Sequence, residues 1–176
     1  KRVAEKFNFQ FCSSEPKDIF ENDDINTVFI ATRHNSHAEY VKSALKAGKH
    51  VFVEKPLCLS KEELAEIEGL YNSPDNRCQL MVGFNRRFAP HAIELKKQLD
   101  GSPVSMLYRV NAGSIPSDNW IQDKDIGGGR IIGEACHFID FLIWLCGSLP
   151  RNVHAVAIPD PYGLNDTVSI NLQFAN

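Results

Sequence analysis

Short apolar runs alternate with helix signals through the first half of the chain, and this alternation constrains the fold more than any other feature. The apolar runs are residues 27–31, 50–53 and 79–84. Continuous apolar runs of this length are typical of strands that are covered on both faces. Residues 36–39 and 60–63 each match a capping box, so they predict two helices between the three strands. Strand, helix, strand, helix, strand at this spacing predicts a parallel sheet with right-handed crossovers.

Each of the two predicted helices has an apolar face that would cover the sheet. Gly48 is placed to end the first helix, since glycine readily takes the left-handed conformation that ends many helices. The predicted buried residues are Ala38, Val41, Ala44 and Leu45 in the first helix and Leu64, Ile67 and Tyr71 in the second.

The second half of the chain has a different pattern, which predicts part of a second domain of α+β type. Its predicted elements are a helix at residues 90–99, a strand at 104–112, a buried helix at 131–146 and two antiparallel strands at 152–158 and 167–174. A turn with proline and glycine would join the last two strands. We therefore expect an α/β chain with a first domain at residues 1–86 and a second, with an open and mostly antiparallel sheet, at residues 87–176.

Composition and charge restrict the kinds of partner. The 176 residues carry a formal net charge of -3, whereas nucleic acids and anionic membranes attract a basic face. No apolar run approaches the roughly 20 residues of a membrane span. The 5 cysteines form no C-x-x-C pair, so reduced thiols in a cytoplasmic protein are expected rather than disulfides or a zinc site.

Glu54-Lys55-Pro56 directly follows the second predicted strand. A lysine at this position lies at the carboxyl edge of the sheet, where open α/β folds bind their ligands, and the proline fixes the backbone behind it. An ammonium there could polarise a reacting oxygen if it is partly buried. The alternative is a solvated lysine that pairs only with Glu54.

Four spaced motifs support a more specific interpretation. They are VFIAT at residues 28–32 with His37, AGKHVFVEKP at 47–56, GFNRRF at 83–88, and GGG at 127–129 with His137 and Asp140. With these motifs in this order, the chain resembles the glucose-fructose oxidoreductase, inositol dehydrogenase and MocA family. Residues 32–34, 119–121 and 133–137 further resemble a branch in which this module follows a zinc-type alcohol dehydrogenase-like region in one long chain.

The resemblance implies a Rossmann domain that binds NAD or NADP, followed by a domain that supports the substrate pocket. It implies a polyol, a sugar or a nucleotide sugar as substrate, and a homo-oligomer as the assembly. The chain begins at Lys1 on what reads as the end of a helix, and no G-x-G-x-x-G follows an opening strand. We therefore expect a piece of a longer protein, whose phosphate-binding loop precedes residue 1 and which alone would be inactive.

Lys55 and His137 are the predicted catalytic residues, and the resemblance supports both. A neutral imidazole at His137 could take the hydroxyl proton while hydride leaves the same carbon. The alternative for His137 is a core histidine with one hydrogen bond. Many family members carry an aspartate four residues before the histidine, where this chain has Gly133. This departure puts simple alcohol dehydrogenation in doubt.

Further site residues follow from the same motifs. Polar loops after strands and at helix starts are the usual contacts of a dinucleotide. The predicted cofactor-binding residues are Thr32, Arg33, His34, Asn35, His37, Glu54, Lys55, Asn85 and Arg86. The predicted substrate-binding residues are Lys55, Arg109, Asn111, Trp120, Arg130 and His137. No metal site is predicted, because the possible zinc ligands His34, His37, Cys136 and His137 fall in two separate elements without zinc-finger spacing.

The sequence thus predicts a module that transfers hydride between a nicotinamide and a sugar, an inositol or a related carbonyl compound. Two alternatives remain open at this level. The first is a non-catalytic dinucleotide- or sugar-binding module that kept the fold and lost the reaction when Gly133 replaced the acid. The second is a reaction that persists with a tightly held cofactor that is recycled in place.

Overall fold

A computed structural model describes residues 2–160, 163–164 and 166–175. The first part contains helices α1 (Arg2–Phe7), α2 (Lys17–Phe20), α3 (His37–Lys46) and α4 (Lys61–Tyr71), strands β1 (Thr27–Ile30), β2 (His50–Val53) and β3 (Leu80–Val82), and two 3-10 turns, His34–Ser36 and Asn85–Phe88. The second part contains helix α5 (Pro90–Gln98), the π-helical segment Ile131–Ala135, helix α6 (Cys136–Cys146) and strands β4 (Asn152–Ala157) and β5 (Val168–Gln173).

The three first strands form a parallel sheet in the order β1, β2, β3. Ile30 is opposite Val53, and Val53 is opposite Val82, so the three strands end side by side. The predicted parallel sheet with helical crossovers is confirmed. The third strand is shorter than residues 79–84, the run that predicted it.

Helices α3 and α4 cover one face of this sheet. The buried core consists of Ile30, Ala38, Val41, Ala44, Leu45, Val51, Val53 and Ile67. On the opposite face Phe29 is 74% exposed and stacks on Phe52, with ring centroids 5.3 Å apart. The sequence predicted cover on both faces, whereas the described residues cover only one.

Helix α3 confirms its predicted apolar face, and helix α4 does so only in part. All four predicted residues of α3 are buried. In α4 only Ile67 is buried, while Leu64 and Tyr71 are 37% and 39% exposed. The predicted set was wrong for these two because α4 meets the core along a narrow stripe, in which Leu70 also packs.

The two predicted capping boxes have different outcomes. Ser60 accepts a hydrogen bond from the Glu63 backbone, and the Glu63 carboxylate accepts one from the Ser60 backbone, so this box is confirmed. Ser36 makes no such bond. Its hydroxyl donates to the Arg33 carbonyl instead, because a 3-10 turn at His34–Ser36 precedes the helix and places Ser36 in a helical conformation.

The predicted strand at residues 104–112 is wrong. No strand occurs in this described segment, and Leu107 is 93% exposed. A strand needs a hydrogen-bonded neighbour, and none of the described strands pairs with this segment. Tyr108 instead packs its ring against Phe138 and Phe141 of α6, at centroid distances of 5.1 and 5.8 Å.

The remaining predicted elements of the second part are present. The predicted helix at residues 90–99 is α5, and the predicted helix at 131–146 is a π-helical segment that continues into α6 and ends at the left-handed Gly147. It is not buried all round, since most of its residues are only half-buried. Strands β4 and β5 are antiparallel as predicted. Residues 161, 162 and 165 of the predicted turn between them lie outside the described residues.

Two side-chain contacts attach α6 to the preceding elements. The Arg87 guanidinium donates two hydrogen bonds to the Asp140 carboxylate, one of them 2.6 Å long. Lys96 of α5 donates to the Leu145 carbonyl near the end of α6 at 2.6 Å. No helix within the described ranges is both long and apolar enough to span a membrane.

Candidate functional site

The carboxyl ends of β1, β2 and β3 bring three loops to one edge of the sheet. Residues 31–37 follow β1, residues 54–56 follow β2, and residues 83–88 follow β3. Gly83 is buried at this edge, and an added Cβ would lie 3.1 Å from the Glu54 carboxylate. A side chain at this position would have to displace the Glu54 carboxylate. The three loops therefore meet at the edge where the sequence predicts a ligand site.

Lys55 connects this edge to the second part of the molecule. Its Nζ donates to the carbonyl oxygen of Gly133 at 2.7 Å, and the peptide bond between Lys55 and Pro56 is cis. The charge of Lys55 lowers the pKa of both His34 and His137, for which burial is the largest cause. Lys55 is therefore an anchored, half-buried cation between two histidines rather than a solvated lysine.

His137 lies at the first turn of α6, beside Lys55. Its Nδ1 is buried and has no hydrogen-bond partner among the described residues. Burial is the main cause that lowers its pKa, and the charges of Lys55 and Arg86 add to this effect. The carboxylates of Glu54 and Asp140 act in the opposite direction. The Phe84 ring lies edge-on to the imidazole, with centroids 6.1 Å apart.

Gly133 is buried where the resemblance leads one to expect an acid. A Cβ at this position would lie 3.0 Å from Cε1 of His34 and 3.4 Å from the carbonyl oxygen of Gly127. The His34 ring therefore stands beside Gly133 in the space that a side chain would enter. The same glycine contributes its carbonyl oxygen to Lys55.

His34 is held in place from two sides. Its Nδ1 lies 2.8 Å from the carbonyl oxygen of Gly127, and its ring meets Trp120 edge-on at a centroid distance of 4.9 Å. Because a carbonyl only accepts, Nδ1 carries the hydrogen. Burial lowers the pKa of His34, the bond to Gly127 opposes this, and Lys55 and His37 lower it further. In its neutral form His34 thus has its free lone pair on Nε2.

His37 joins the loop after β1 to the loop after β2. It is 0% exposed, and its Nδ1 and Nε2 lie 2.7 Å and 3.2 Å from the carbonyl oxygens of Pro56 and Thr32. A neutral imidazole has one N–H and donates to one of these carbonyls, whereas an imidazolium donates to both. In this position His37 orients the backbone next to Lys55, and it has no nitrogen free for a ligand.

The other residues of the first loop lie at its surface. Thr32 and Ser36 share a hydrogen bond of 2.6 Å between their hydroxyls. Arg33 lies over the Trp120 ring, 5.6 Å from its centroid. The Asn35 backbone donates to the Ile126 carbonyl at 3.0 Å. The Asn35 side chain is exposed and is available to a ligand. This loop is therefore packed against the segment that contains Trp120.

Glu54, Asn85 and Arg86 border the same edge from the other two loops. The Glu54 backbone donates to the carbonyl oxygen of Ile30, and its carboxylate acts on the pKa of His137. Asn85 and Arg86 are exposed in the 3-10 turn Asn85–Phe88. The Arg86 guanidinium lies 4.8 Å from the centroid of the Phe138 ring.

The predicted substrate-binding residues do not all lie together. Trp120 is next to His34, whereas Asn111 and Arg130 line a separate cavity of about 490 Å³ between α6 and β5. Arg130 is engaged there by the Glu134 carboxylate at 3.0 Å and by the Gly113 carbonyl at 2.7 Å. Arg109 is exposed and borders neither group.

Within the described part of the chain, no three His, Cys, Asp or Glu residues form a group that could hold a metal ion. The nitrogens of His37 and one nitrogen of His34 are directed at carbonyl oxygens instead. Cys136 is another of the four possible zinc ligands considered from the sequence. Burial raises the pKa of its thiol, and the Lys55 charge opposes this rise.

Sequence reasoning missed three features of the site. It did not foresee that His34 stands against Gly133, that Gly127 approaches another backbone, or that Arg87 pairs with Asp140. A Cβ on Gly127 would lie 2.4 Å from the Cα of Ile121, so only glycine fits there. The GGG motif carried a signal of such close packing, whereas nothing in the sequence pairs His34 with residue 133.

Comparisons with known proteins extend these observations. Residues 1–105 match a family model described as "Oxidoreductase family, NAD-binding Rossmann fold", and residues 99–176 match the GFO/IDH/MocA C-terminal domain. An inositol 2-dehydrogenase of Rhizobium meliloti is 33% identical over 161 residues, which cover 87% of this chain and 48% of that protein. A levoglucosan dehydrogenase of Pseudarthrobacter phenanthrenivorans is 31% identical over 155 residues, which cover 82% of this chain and 39% of that protein.

Solved structures show the same likeness in three dimensions. A levoglucosan dehydrogenase in complex with NADH and levoglucosan superposes with a TM-score of 0.80 at 30% sequence identity. The match covers 99% of this chain and 51% of that one. The chain thus spans about half the length of the relatives that it matches.

Proposed function

The chain belongs to the GFO/IDH/MocA oxidoreductase family, and from this premise we propose that the whole protein is an NAD(P)-dependent oxidoreductase. Its substrate would be a sugar, an inositol or a related carbonyl compound. Relatives named as inositol and levoglucosan dehydrogenases support this substrate class. The observation that carries the proposal is the Lys55 ammonium, which is anchored on the Gly133 carbonyl at the carboxyl edge of the sheet, beside His137.

The residues at this edge fit a nicotinamide cofactor. The exposed side chains of Thr32, Asn35 and Asn85 can donate to and accept from a dinucleotide. A bound nicotinamide would supply hydride transfer to or from a carbon of the substrate. Glu54 and Arg86 border the same space, and we propose these residues for the cofactor contacts.

Lys55 would act on the oxygen of the reacting carbon. Of the three hydrogens of its ammonium, one is used by the Gly133 carbonyl and two remain for a substrate. The bond to Gly133 fixes the cation before a substrate arrives, so little reorganisation is needed when negative charge develops on the oxygen. His137 would contact the same oxygen from the first turn of α6.

The test is a comparison of Lys55→Ala with Lys61→Ala in the whole protein. We expect Lys55→Ala to lower kcat/KM by about 10²- to 10³-fold, the usual loss when a pre-oriented charge-stabilising group is removed. Lys61 is an exposed lysine at the start of α4, so its variant should keep wild-type turnover. Intact turnover in Lys55→Ala would falsify the proposed role. Calorimetric titration with NAD and NADP identifies the cofactor independently.

A second candidate function is a binding module without turnover. It is favoured by Gly133, which leaves Nδ1 of His137 without the acid that many family members provide. Saturable cofactor binding with no turnover across a panel of polyols and nucleotide sugars would support it. If instead the cofactor copurifies and does not exchange, the reaction persists with a recycled cofactor.

Several finer features are also proposals. We propose a homo-oligomer. Val153 and Val156 of β4 are 62% and 55% exposed and support this assembly, which sedimentation analysis can test.

The position of Arg33 over the Trp120 ring supports a nucleotide sugar as substrate. The motif variants at residues 32–34 support a fused zinc-type alcohol dehydrogenase-like region. The change from parallel to antiparallel strands supports a domain boundary between residues 86 and 87. The free thiols of Cys58, Cys78 and Cys136 support a cytoplasmic location.

A further inference from the structure

We propose that His34 selects the substrate, and that its Nε2 accepts a hydrogen bond from a hydroxyl on the carbon next to the reacting carbon of a polyol or sugar. The sequence predicted His34 as a cofactor-binding residue and gave it no contact with the substrate. Because the role needs a substrate at the carboxyl edge of the sheet, it rests on the proposed oxidoreductase function.

The hydrogen of the neutral His34 ring is held on Nδ1. This nitrogen lies 2.8 Å from the carbonyl oxygen of Gly127, and a carbonyl can only accept. A ring rotated by a half turn would direct a carbon at that oxygen and lose the bond. The backbone of Gly127 is packed against that of Ile121, since a Cβ on Gly127 would lie 2.4 Å from the Cα of Ile121. The lone pair of the His34 ring is therefore on Nε2.

Nε2 of His34 is an acceptor that a ligand can reach. Within the described ranges, the hydrogen bond of this ring is the bond from Nδ1 to Gly127. The buried side-chain atoms that lack a partner there are Nε2 of Gln122 and Nδ1 of His137, so Nε2 of His34 is not sealed in the interior. The residue as a whole is only 8% exposed. A largely buried ring thus presents one accessible acceptor.

The position of the ring is fixed before a ligand binds. Trp120 meets it edge-on at a centroid distance of 4.9 Å, and the centroid of the His37 ring lies 5.7 Å away. His37 is itself 0% exposed. A ligand therefore does not have to order the His34 side chain, and a hydrogen bond to Nε2 contributes to binding with little loss of conformational entropy.

Lys55 supplies donors close to this acceptor. Its Nζ donates to the Gly133 carbonyl, and a Cβ on the same glycine would lie 3.0 Å from Cε1 of His34, the carbon between the two ring nitrogens. Burial is the main cause that lowers the pKa of His34, and the Lys55 charge adds to it, so the ring is neutral near pH 7. Both side chains thus meet at Gly133, yet Lys55 donates to the glycine and not to Nε2. Ammonium hydrogens and a lone pair remain for one ligand.

Two hydroxyls on neighbouring carbons fit this arrangement. The oxygen of the reacting hydroxyl accepts from Lys55, and the neighbouring hydroxyl donates its hydrogen to Nε2 of His34. A methylene group at the neighbouring carbon would displace water from Nε2 without replacing its hydrogen bond, which weakens binding. A carbonyl or ether oxygen there cannot donate either. His34 thus favours substrates that carry a hydroxyl next to the reacting carbon.

The direct test follows Nε2 of His34 in ¹⁵N spectra of the whole protein labelled at histidine. The chain has 6 histidines, and the signals that disappear in His34→Gln identify the ring. We expect a lone pair on Nε2 at neutral pH, and an upfield shift of this nitrogen when myo-inositol, levoglucosan or D-glucose is added in the presence of NADH. A hydrogen on Nε2, or no shift with any of the three compounds, would overturn the inference.

The same spectra distinguish the substrate from the cofactor, because the ribose of a nicotinamide cofactor also carries hydroxyls. NADH alone should leave the Nε2 signal in place, and the shift should require the polyol. A shift that is complete with NADH alone would show that the cofactor occupies this acceptor, and the assignment of His34 to the substrate would be wrong.

Kinetics of the whole protein measure the selection itself. The probes are paired compounds, D-glucose with 2-deoxy-D-glucose and myo-inositol with a deoxyinositol that lacks the hydroxyl beside the reacting one. We expect the wild type to prefer the hydroxylated compound by about tenfold in kcat/KM, the usual size for one neutral hydrogen bond. His34→Phe keeps an aromatic ring but has no acceptor, so the preference should fall to about one.

Two further variants separate recognition from a structural role. His34→Gln provides an amide oxygen that can accept, and it should retain most of the preference. His154→Gln replaces an exposed imidazole on β4 and should leave the preference at the wild-type value. A merely structural defect in His34→Phe would lower kcat/KM for both members of a pair and keep their ratio. An unchanged ratio in His34→Phe would therefore contradict the proposed role.

Failure of this role and failure of the proposed function give different results. If the wild type turns over both members of a pair equally well, the oxidoreductase function stands and His34 does not select the substrate. If the wild type turns over none of the probes, the proposed function is contradicted. The tautomer and the titration of His34 need no turnover, so they then decide whether its Nε2 binds a hydroxyl.

Discussion

At the scale of single residues, the contact between His34 and Gly133 governs the candidate site. Gly133 has no side chain, and the buried His34 imidazole occupies the space that a side chain at residue 133 would enter. The consequence reaches Lys55, which is anchored on the backbone of Gly133, and His137, whose Nδ1 has no partner in the described part of the chain. The size of residue 133 therefore matters for both predicted catalytic residues.

Gly133→Ala is expected to destabilise the protein. An added methyl group would press on the His34 ring, which cannot yield because Gly127 and Trp120 hold it. We expect a loss of about 1–2 kcal/mol in the free energy of unfolding, since overpacking outweighs the gain in helix propensity. Urea-induced unfolding measures this loss. In a His34→Ala background the loss should disappear, and a persistent loss would contradict the steric explanation.

Gly69→Ala is the matched control for this substitution. Gly69 lies on the exposed side of α4, and an added Cβ would meet nothing within 4 Å. We expect it to stabilise the protein by about 0.5–1 kcal/mol, because alanine restricts the unfolded chain and favours a helix. If both variants changed stability in the same direction, residue 133 would not be under steric constraint.

At the scale of secondary-structure elements, the two serines before α3 and α4 show how far a local pattern determines a helix start. Both begin an S-x-x-E pattern, yet only Ser60 caps its helix. The difference arises from the preceding residues, because the 3-10 turn at His34–Ser36 already gives Ser36 a helical backbone. A capping box needs an extended conformation at its first residue, which Ser60 has and Ser36 lacks.

Ser60→Ala is therefore expected to destabilise the protein by about 1 kcal/mol, because it removes the acceptor for a backbone N–H at the start of α4. Ser36→Ala removes only surface hydroxyl contacts to Arg33 and Thr32, and we expect a change of less than about 0.5 kcal/mol. Chemical denaturation of both variants provides the comparison. A larger loss for Ser36→Ala would show that its hydroxyl caps α3 in solution.

The sequence predicted most elements of the first part and fewer details of the second. The strands β1 and β2 each contain three consecutive apolar residues, and such runs are a strong local signal for a buried strand. Residues 104–112 have the composition of a strand, but none of the described strands pairs with them, and pairing is not encoded locally. The family and the Rossmann-type sheet are confirmed, whereas the roles of Lys55 and His137 remain predictions.

At the scale of the whole molecule, a charged pair connects the segment after the parallel sheet to α6. The Asp140 side chain is 9% exposed and that of Arg87 is 35% exposed. The hydrogen bonds and the charge of Asp140 raise the pKa of Arg87. Asp140 is thus a buried acceptor whose carboxylate is used by Arg87.

Asp140→Asn is expected to reduce the free energy of unfolding by about 1–3 kcal/mol, because it removes charge-assisted hydrogen bonds whose partner is only partly screened by water. Glu94→Gln removes the pair of Glu94 with Lys97, whose side chains are 62% and 65% exposed, and should cost less than about 0.5 kcal/mol. Thermal unfolding of the two variants tests the difference. Equal and small effects would mean that Arg87 and Asp140 do not stabilise the junction.

Stability is expected to fall as the solution becomes more acidic. The folded pKa values of His34 and His137 lie below the ordinary value, mainly because both rings are buried. Below the unfolded value of about 6.5 the unfolded chain binds more protons, so the free energy of unfolding drops as pH falls through that window. Above about pH 7 neither histidine contributes to the pH dependence.

Urea titrations between pH 5 and 8 measure this slope. His34→Gln should make it shallower, because one of the two buried rings is gone. His154→Gln replaces an exposed imidazole on β4 and controls for the loss of a histidine as such. A slope that is unchanged in His34→Gln would show that burial of this ring does not couple to folding.

The packing of His34 against Gly133 also restricts the substitutions open to this chain. An acid introduced at residue 133 alone has to displace the imidazole, because even its Cβ would lie 3.0 Å from Cε1 of His34. A smaller residue 34 alone leaves a void beside Trp120. Either order of the two substitutions therefore passes through a variant that is expected to be less stable than this chain. Residues 34 and 133 are thus expected to change together rather than one at a time.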